Sequence, residues 1–375
     1  MVAENGKIRL LIVDDSVFFR KALTEALSGD PRIQVIGTAV DAMDAMEKIK
    51  SLKPDVATLD VEMPKLNGID FLRQLMPVNP LPVVVVSSAP IRVLDALSAG
   101  AVEFVRKPEI KGPDGMRDFM AELTVKIRIA AAAKVVKRTT PAAPGTAPRP
   151  AAIAAPGGAA ATAASAAAAA AARPALTLRR TFAGEAPIIA IGASTGGTEA
   201  ILEVVRDLPA NTPGVVIVQH MPPVFTKMYA QRLDRICHMS VKEAENGDRV
   251  EQGKIIIGAG EFHLRLAKDP RGYYVRSEPG PKVSGHCPSV DVLFDSVGEV
   301  AKANAMGVLL TGMGADGAKG LLKMRQAGAY TVGQDKETCV VYGMPAVAFK
   351  IGAVQKQLPL GEMGAEIVRY LTNKK

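Results

Sequence analysis

Hydrophobic residues follow two rhythms along the first 130 residues. Short runs at 8–13, 33–38, 56–59, 83–86 and 102–105 are compact and rich in Val and Ile, and they read as strands. The intervening stretches 16–28, 41–52, 67–76 and 90–99 space their apolar residues as helices do, and 113–136 reads as a closing helix. Strands alternating with helices imply βαβ units around a parallel sheet. The run 83–86 is four consecutive valines, as expected of a strand covered on both faces.

The alternation stops near 131 and resumes near 185. A strand at 188–191 passes through Gly192-Ala193-Ser194-Thr195-Gly196-Gly197 into a helix at 198–206. A strand at 215–218 and a helix at 224–236 follow. A β-richer stretch over 240–276, with runs at 255–257 and 273–275, suggests hairpin insertions. A helix at 288–303, a strand at 308–310, a Gly-rich loop and a helix at 317–327 come next. The pattern predicts two doubly wound parallel-sheet α/β domains, at 1–137 and 185–375. Residues 138–184, dense in Ala, Pro and Gly, have almost nothing large to bury and read as a flexible linker.

Charge sharpens this division. The 375-residue chain has a formal net charge of +8. Residues 131–184 hold 7 basic and no acidic residues, whereas 1–130 stand at −1 and 185–375 at +2. The excess belongs to the tether, which argues against a nucleic-acid-binding domain. Cys237, Cys287 and Cys339 form no CxxC pair and fit a reduced compartment. No signal peptide and no run of membrane-spanning length is present, so a cytoplasmic protein is expected.

Two constellations carry candidate chemistry. Asp14 and Asp15 follow the first strand, and Asp60 the third. Ligands of open α/β sheets bind at the carboxyl ends of the strands. Three carboxylates there would repel unless they shared a cation, and Mg²⁺ suits that oxygen-rich set. Ser87 ends the fourth strand and Lys107 the fifth, each placed to contact a phosphoryl oxygen. The Lys107-Pro108 bond is a candidate cis peptide. Singly, such acids are ordinary caps and turn residues; together, one at each successive strand end, they make a pocket.

The second constellation is Gly192-Ala193-Ser194-Thr195-Gly196, a G-x-S-x-G turn between strand and helix that exposes a serine. A serine nucleophile needs a base, and the base an orienting group. His220 follows the strand 215–218, and Asp316 lies in the Gly-rich loop after 308–310, both at the same sheet edge as Ser194. A phosphate cradle is the competing reading of such a turn, although neither G-x-G-x-x-G nor a P-loop is present.

Residues 1–130 resemble a two-component receiver domain, carried by Asp14-Asp15, Asp60, Ser87 and Lys107-Pro108. The resemblance implies a flavodoxin-like fold in which Asp60 accepts a phosphoryl group from a histidine kinase. Asp14, Asp15 and Asp60 would hold Mg²⁺. Residues 186–372 resemble the catalytic domain of chemotaxis protein-glutamate methylesterases, a Rossmann-like serine hydrolase. The matching segments are 191–197, Gln219-His220-Met221, 289–294 and 310–317. This implies Ser194 as nucleophile, His220 as base and Asp316 as orienter, with Thr195 and the Met313 N–H facing the oxyanion and no cofactor for the hydrolysis. It also implies demethylation and deamidation of methyl-accepting chemoreceptors, with a receiver that covers the active site until Asp60 is phosphorylated. Cys287 stands where that family leads one to expect Arg. An esterase for small soluble esters and a non-enzymatic nucleotide-binding module are the alternatives.

Overall fold

The computed structural model describes residues 6–88, 90–108, 113–135, 176–180, 182 and 185–374. Most of the expected linker 138–184 lies outside the described residues.

The first domain runs β1 (Ile8–Val13), α1 (Val17–Ser28), β2 (Ile33–Ala39), α2 (Ala42–Leu52), β3 (Val56–Asp60), α3 (Gly68–Val78), β4 (Val83–Ser87), α4 (Pro90–Ser98), β5 (Glu103–Arg106) and α5 (Pro113–Ala131). The five strands form one parallel sheet in the order β2-β1-β3-β4-β5. Every residue of β3 and β4 is buried, which for β4 is what its valine run foretold. Local chemistry sets the helix starts: Asp41 accepts from the Met43 and Asp44 amides ahead of α2, and Asn67 does the same for Ile69 and Asp70 ahead of α3.

The second domain continues β6 (Ile188–Ala193), α6 (Gly197–Val205), β7 (Val215–Gln219), α7 (Phe225–Asp234), β8 (Ser240–Glu243), β9 (Lys254–Ile257), β10 (Phe262–Asp269), β11 (Gly272–Pro279) and α8 (Val290–Val300). It ends with β12 (Ala305–Leu309), α9 (Ala318–Gln326), β13 (Tyr330–Gln334), α10 (Met344–Lys350), β14 (Lys356–Leu358) and α11 (Met363–Asn373). Seven strands make a parallel sheet in the order β14-β13-β12-β6-β7-β9-β8, and β10 with β11 forms a separate antiparallel hairpin. The expected insertion is thus this one hairpin, because β8 and β9 join the main sheet in parallel. The chain leaves β6 toward β7 on one side and returns as β12 on the other. This reversal beside β6 opens a crevice at its carboxyl end.

The two domains pack together. Helix α4 lies against α6 and α7, and Leu94, Leu97 and Phe104 share a buried apolar cluster with Met221 and Phe225. The Phe104 and Phe225 rings meet with centroids 4.6 Å apart. Ahead of β6, Leu178 is buried in the same cluster and its carbonyl accepts from Asn211 Nδ2 at 2.7 Å. The Arg180 guanidinium donates to the Thr372 and Lys374 carbonyls.

Candidate active site

Strand register brings the candidate residues of the second domain together. Ala193 of β6 pairs with Gln219 of β7, so Ser194 and His220 leave the sheet as the next neighbouring pair. The Ser194 Oγ lies 3.1 Å from His220 Nδ1. The other ring nitrogen, Nε2, lies 2.7 Å from Asp316 Oδ2. Because an ionised carboxylate only accepts, Nε2 carries the proton and Nδ1 presents its lone pair to the serine hydroxyl. Asp316 reaches this position on the loop that follows β12, whose Leu309 pairs with Gly192.

Two glycines make the approach possible. Gly196 takes φ +75° to turn from the serine into α6, a conformation that disfavours a Cβ. Gly312 passes so close to the elbow that a Cβ there would stand 2.7 Å from Ser194 Cβ. The adjacent Ser194 amide donates to the Thr311 carbonyl at 3.0 Å, and the Gln219 side-chain amide donates to the Ser194 carbonyl at 2.9 Å.

Asp316 is buried and held by the start of α8. Its Oδ1 accepts from Ser289 Oγ at 2.7 Å and from the Asp291 amide at 3.1 Å, while Oδ2 also accepts from the Val290 amide at 2.7 Å. Burial alone would raise this carboxyl, but His220, Ser289 and the helix N-terminus outweigh it and hold Asp316 down at about 2. Asp316 is therefore a permanent anion beneath the imidazole. Asp291 is raised, first by burial and then by the Asp316 charge. Its Oδ1 accepts from Gly320 N and its Oδ2 from Ser284 Oγ.

Thr195 is buried, and its hydroxyl donates at 2.5 Å to Glu103 Oε1, a side chain of the first domain. Met313 is exposed, and its N–H donates to no other group among the described residues. His286 stacks on His220, with centroids 3.7 Å apart and planes 10° from parallel. Cys287 is half-buried, its thiol is raised by burial, and its carbonyl accepts from Glu261 N. His238 is exposed beyond α7, and His263 is buried under the loop that carries His286.

In the first domain, Asp14, Asp15 and Asp60 each offer an oxygen within a 4.8 Å span, at the carboxyl ends of β1 and β3. Lys107 donates to Asp14 at 2.9 Å and to Asp60 at 2.5 Å. Burial pushes the Asp14 carboxyl up, and Lys107 only partly counters it. Ser87 is buried at the end of β4. The three acids fit a divalent cation: they converge at one strand edge and carry more negative charge than Lys107 balances. The cis peptide among the described residues is Cys287-Pro288, so Lys107-Pro108 is trans.

Glu103, His286 and Ser289 were missed as site residues by sequence reasoning. Ser289 had a usable signal, since it is an N-cap serine opening an apolar helical run. Glu103 and His286 had none, because each meets the site through a contact that no local pattern encodes.

Fold and site together define a class: a serine-hydrolase arrangement on a parallel sheet, joined to a receiver fold. Residues 189–367 match the family described as CheB methylesterase, and residues 10–113 that described as response regulator receiver domain. The chain is 47% identical over 365 residues to the protein-glutamate methylesterase/protein-glutamine glutaminase 2 of Syntrophomonas wolfei, covering 97% of this chain and 98% of that protein. It is 45% identical over 378 residues to the corresponding protein of Syntrophotalea carbinolica, covering 98% and 99%. A crystal structure of the Thermotoga maritima CheB methylesterase catalytic domain is 38% identical, with TM-score 0.48, covering 49% of this chain and 98% of that one. The chain belongs to the protein-glutamate methylesterase/protein-glutamine glutaminase family.

Proposed function

We propose that this protein is a phosphorylation-activated serine hydrolase that removes methyl groups from glutamate methyl esters on chemoreceptors and deamidates receptor glutamines. The hydrogen-bonded chain from Ser194 Oγ through His220 to Asp316 carries this reading.

Ser194 attacks the side-chain carbonyl carbon of the ester while His220 Nδ1 takes the hydroxyl proton. Asp316 holds the Nε2 proton and stabilises the imidazolium that forms. The tetrahedral oxyanion is received by the uncommitted Met313 N–H and by Thr195, each such donor lowering the barrier by about 3 kcal/mol. The intermediate collapses as His220 returns the proton to the departing methoxide oxygen, and methanol leaves. Water then adds to the acyl-serine with His220 again as base, freeing a glutamate carboxylate and regenerating Ser194. A glutamine follows the same course with ammonia as the leaving group.

In the first domain, Asp60 is the phosphoryl acceptor, with Ser87 and Lys107 contacting the transferred group. Asp14, Asp15 and Asp60 would hold Mg²⁺, which when bound would neutralise charge around the phosphoryl group. The donor is a histidine kinase of the same pathway. The Glu103 carboxylate on the Thr195 hydroxyl supports a gate, because it engages an oxyanion donor beside the nucleophile. Residues 1–137 act as the regulatory domain and 185–375 as the catalytic domain. The segment 138–184 connects them, but it is not flexible throughout as expected, because Leu178 is buried in the core and Leu178 and Arg180 are tied to the catalytic domain by hydrogen bonds. Among the described residues no helix is long and apolar enough to cross a membrane, in keeping with action from the cytoplasm on receptor tails.

Methanol release from methylated receptor membranes, with and without a phosphodonor, tests the assignment. Ser194→Ala is expected to abolish release; release at the wild-type rate would refute the nucleophile.

A further inference from the structure

His286 sits on a loop that is fixed at several points. The Val283 and His286 amides exchange hydrogen bonds with each other's carbonyls, at 3.0 and 2.9 Å. Ser284 and Gly285 between them take φ of +51° and +84°, which closes a tight hairpin turn. The buried His263 ties the loop's two ends together. Its Nε2–H donates to the Pro281 carbonyl at 2.8 Å, and its Nδ1 accepts from the Ser289 amide at 3.3 Å. The Cys287 carbonyl is anchored by Glu261 N at 3.2 Å. Immediately beyond this brace, Ser289 and the Val290 and Asp291 amides grip Asp316. One continuous segment, 281–291, therefore holds the carboxylate at its C-terminal end and presents the His286 ring from its middle.

We infer that His286 is a positioning residue: its ring, stacked on His220 and held by the His263-braced loop, fixes the plane of the catalytic imidazole. The requirement is geometric. His220 must keep Nδ1 on Ser194 and Nε2 on Asp316 through two proton transfers in each half-reaction. Rotation of its ring about the Cβ–Cγ bond breaks both contacts at once. A parallel ring 3.7 Å away blocks that rotation and keeps water off one face. Burial and the neighbouring His220 push His286 down to about 4, so it is an uncharged platform near neutral pH and adds no repulsion when His220 becomes cationic.

This inference rests on the hydrolase reading, so its test has arms that need no receptor. In the full chain with a phosphodonor, His286→Ala is expected to lower kcat for methanol release at least tenfold, with KM within twofold of wild type. Displacements of about 1 Å at a reacting group can cost ~10²-fold. Labelling of Ser194 by a fluorophosphonate should slow by the same factor. His286→Phe restores a flat ring without a titratable nitrogen and should recover most of both rates. In proton NMR, the Nε2 proton shared by His220 and Asp316 should be sharp in the wild type and His286→Phe, and lost to exchange in His286→Ala. Three results would overturn the inference: wild-type kcat in His286→Ala, a change confined to KM, or His286→Phe as slow as His286→Ala with the shared proton intact. A wild-type chain that labels but releases no methanol refutes the substrate assignment instead, while the labelling rates and the proton signal still decide the role of His286.

Discussion

Removing the Glu103 carboxylate should unlatch the resting enzyme. Glu103 Oε1 accepts from Thr195 Oγ1 at 2.5 Å, and its side chain is only 13% exposed. A hydrogen bond to a charged group in such a setting contributes about 1.5–3 kcal/mol. At about 1.4 kcal/mol per tenfold, Glu103→Ala shifts the closed–open equilibrium by roughly 10- to 100-fold. The receiver survives the change. Lys126, which also pairs with Glu103, keeps Glu122 at 3.3 Å and the Phe104 carbonyl at 2.7 Å. The Phe104–Phe225 contact also remains, so the interface loosens without dissolving. The assay is the initial rate of methanol release without phosphodonor. It should rise by up to that factor, bounded by the phosphorylated wild-type rate, while the phosphorylated rate stays near wild type. Glu103→Gln keeps a neutral acceptor and should fall between. An unphosphorylated Glu103→Ala rate equal to wild type, with Phe104→Ala raising it, would show that the interface inhibits without this hydrogen bond.

Asp60→Asn should leave the resting rate unchanged and abolish the response to phosphodonor, read in the same assay; a retained response would place the phosphoryl group elsewhere. Gly312→Ala should lower kcat by about 10²-fold, because the new Cβ lies 2.7 Å from Ser194 Cβ and must displace the nucleophile or its loop. Overpacking at this site should also cost about 1–3 kcal/mol in denaturant unfolding. Asp316 has a folded value of about 2 against an ordinary 3.8, so it contributes stability above about pH 4 that is lost as pH falls toward 2. The stability gap between wild type and Asp316→Asn should therefore shrink over that range. Asp291, whose carboxyl is raised, works in the opposite sense at higher pH. A gap independent of pH would contradict the depressed value.

The legible parts of the fold are those in which burial writes itself into sequence. Strands covered on both faces appear as apolar runs, and the four valines that open β4 are such a run. After 327 the hydrophobic rhythm predicts no element, because the strands there carry polar residues inward. In β13, Thr331 and Gln334 are fully buried, yet they are polar. Their cost is offset by partners distant in sequence or around a turn: Thr331 Oγ1 donates to the Ala353 carbonyl, and Gln334 Nε2 to that of Thr338. The convergence of Ser194, His220 and Asp316 was legible because each follows a strand, and parallel strands deliver their next residues to one edge. Which imidazole nitrogen faces the serine was not, since that depends on where the 311–316 loop brings the carboxylate.

Regulation and chemistry meet on a short path. Strand β5 begins with Glu103, which holds Thr195, and Lys107, which bridges Asp14 and Asp60, follows its last residue. At about 3.3 Å per residue, the two side chains are rooted roughly 13 Å apart on one hydrogen-bonded element. A single strand therefore joins the site of Lys107 to the latch. The latch engages the residue next to the nucleophile rather than the rim of the groove. With Thr195 in its proposed place at the oxyanion, closing it disables that donor directly, whatever access the substrate retains. On this geometry, opening the gate changes the fraction of molecules able to stabilise the tetrahedral intermediate, so phosphorylation acts mainly on kcat. A gate that only covered the entrance would act mainly on apparent substrate affinity.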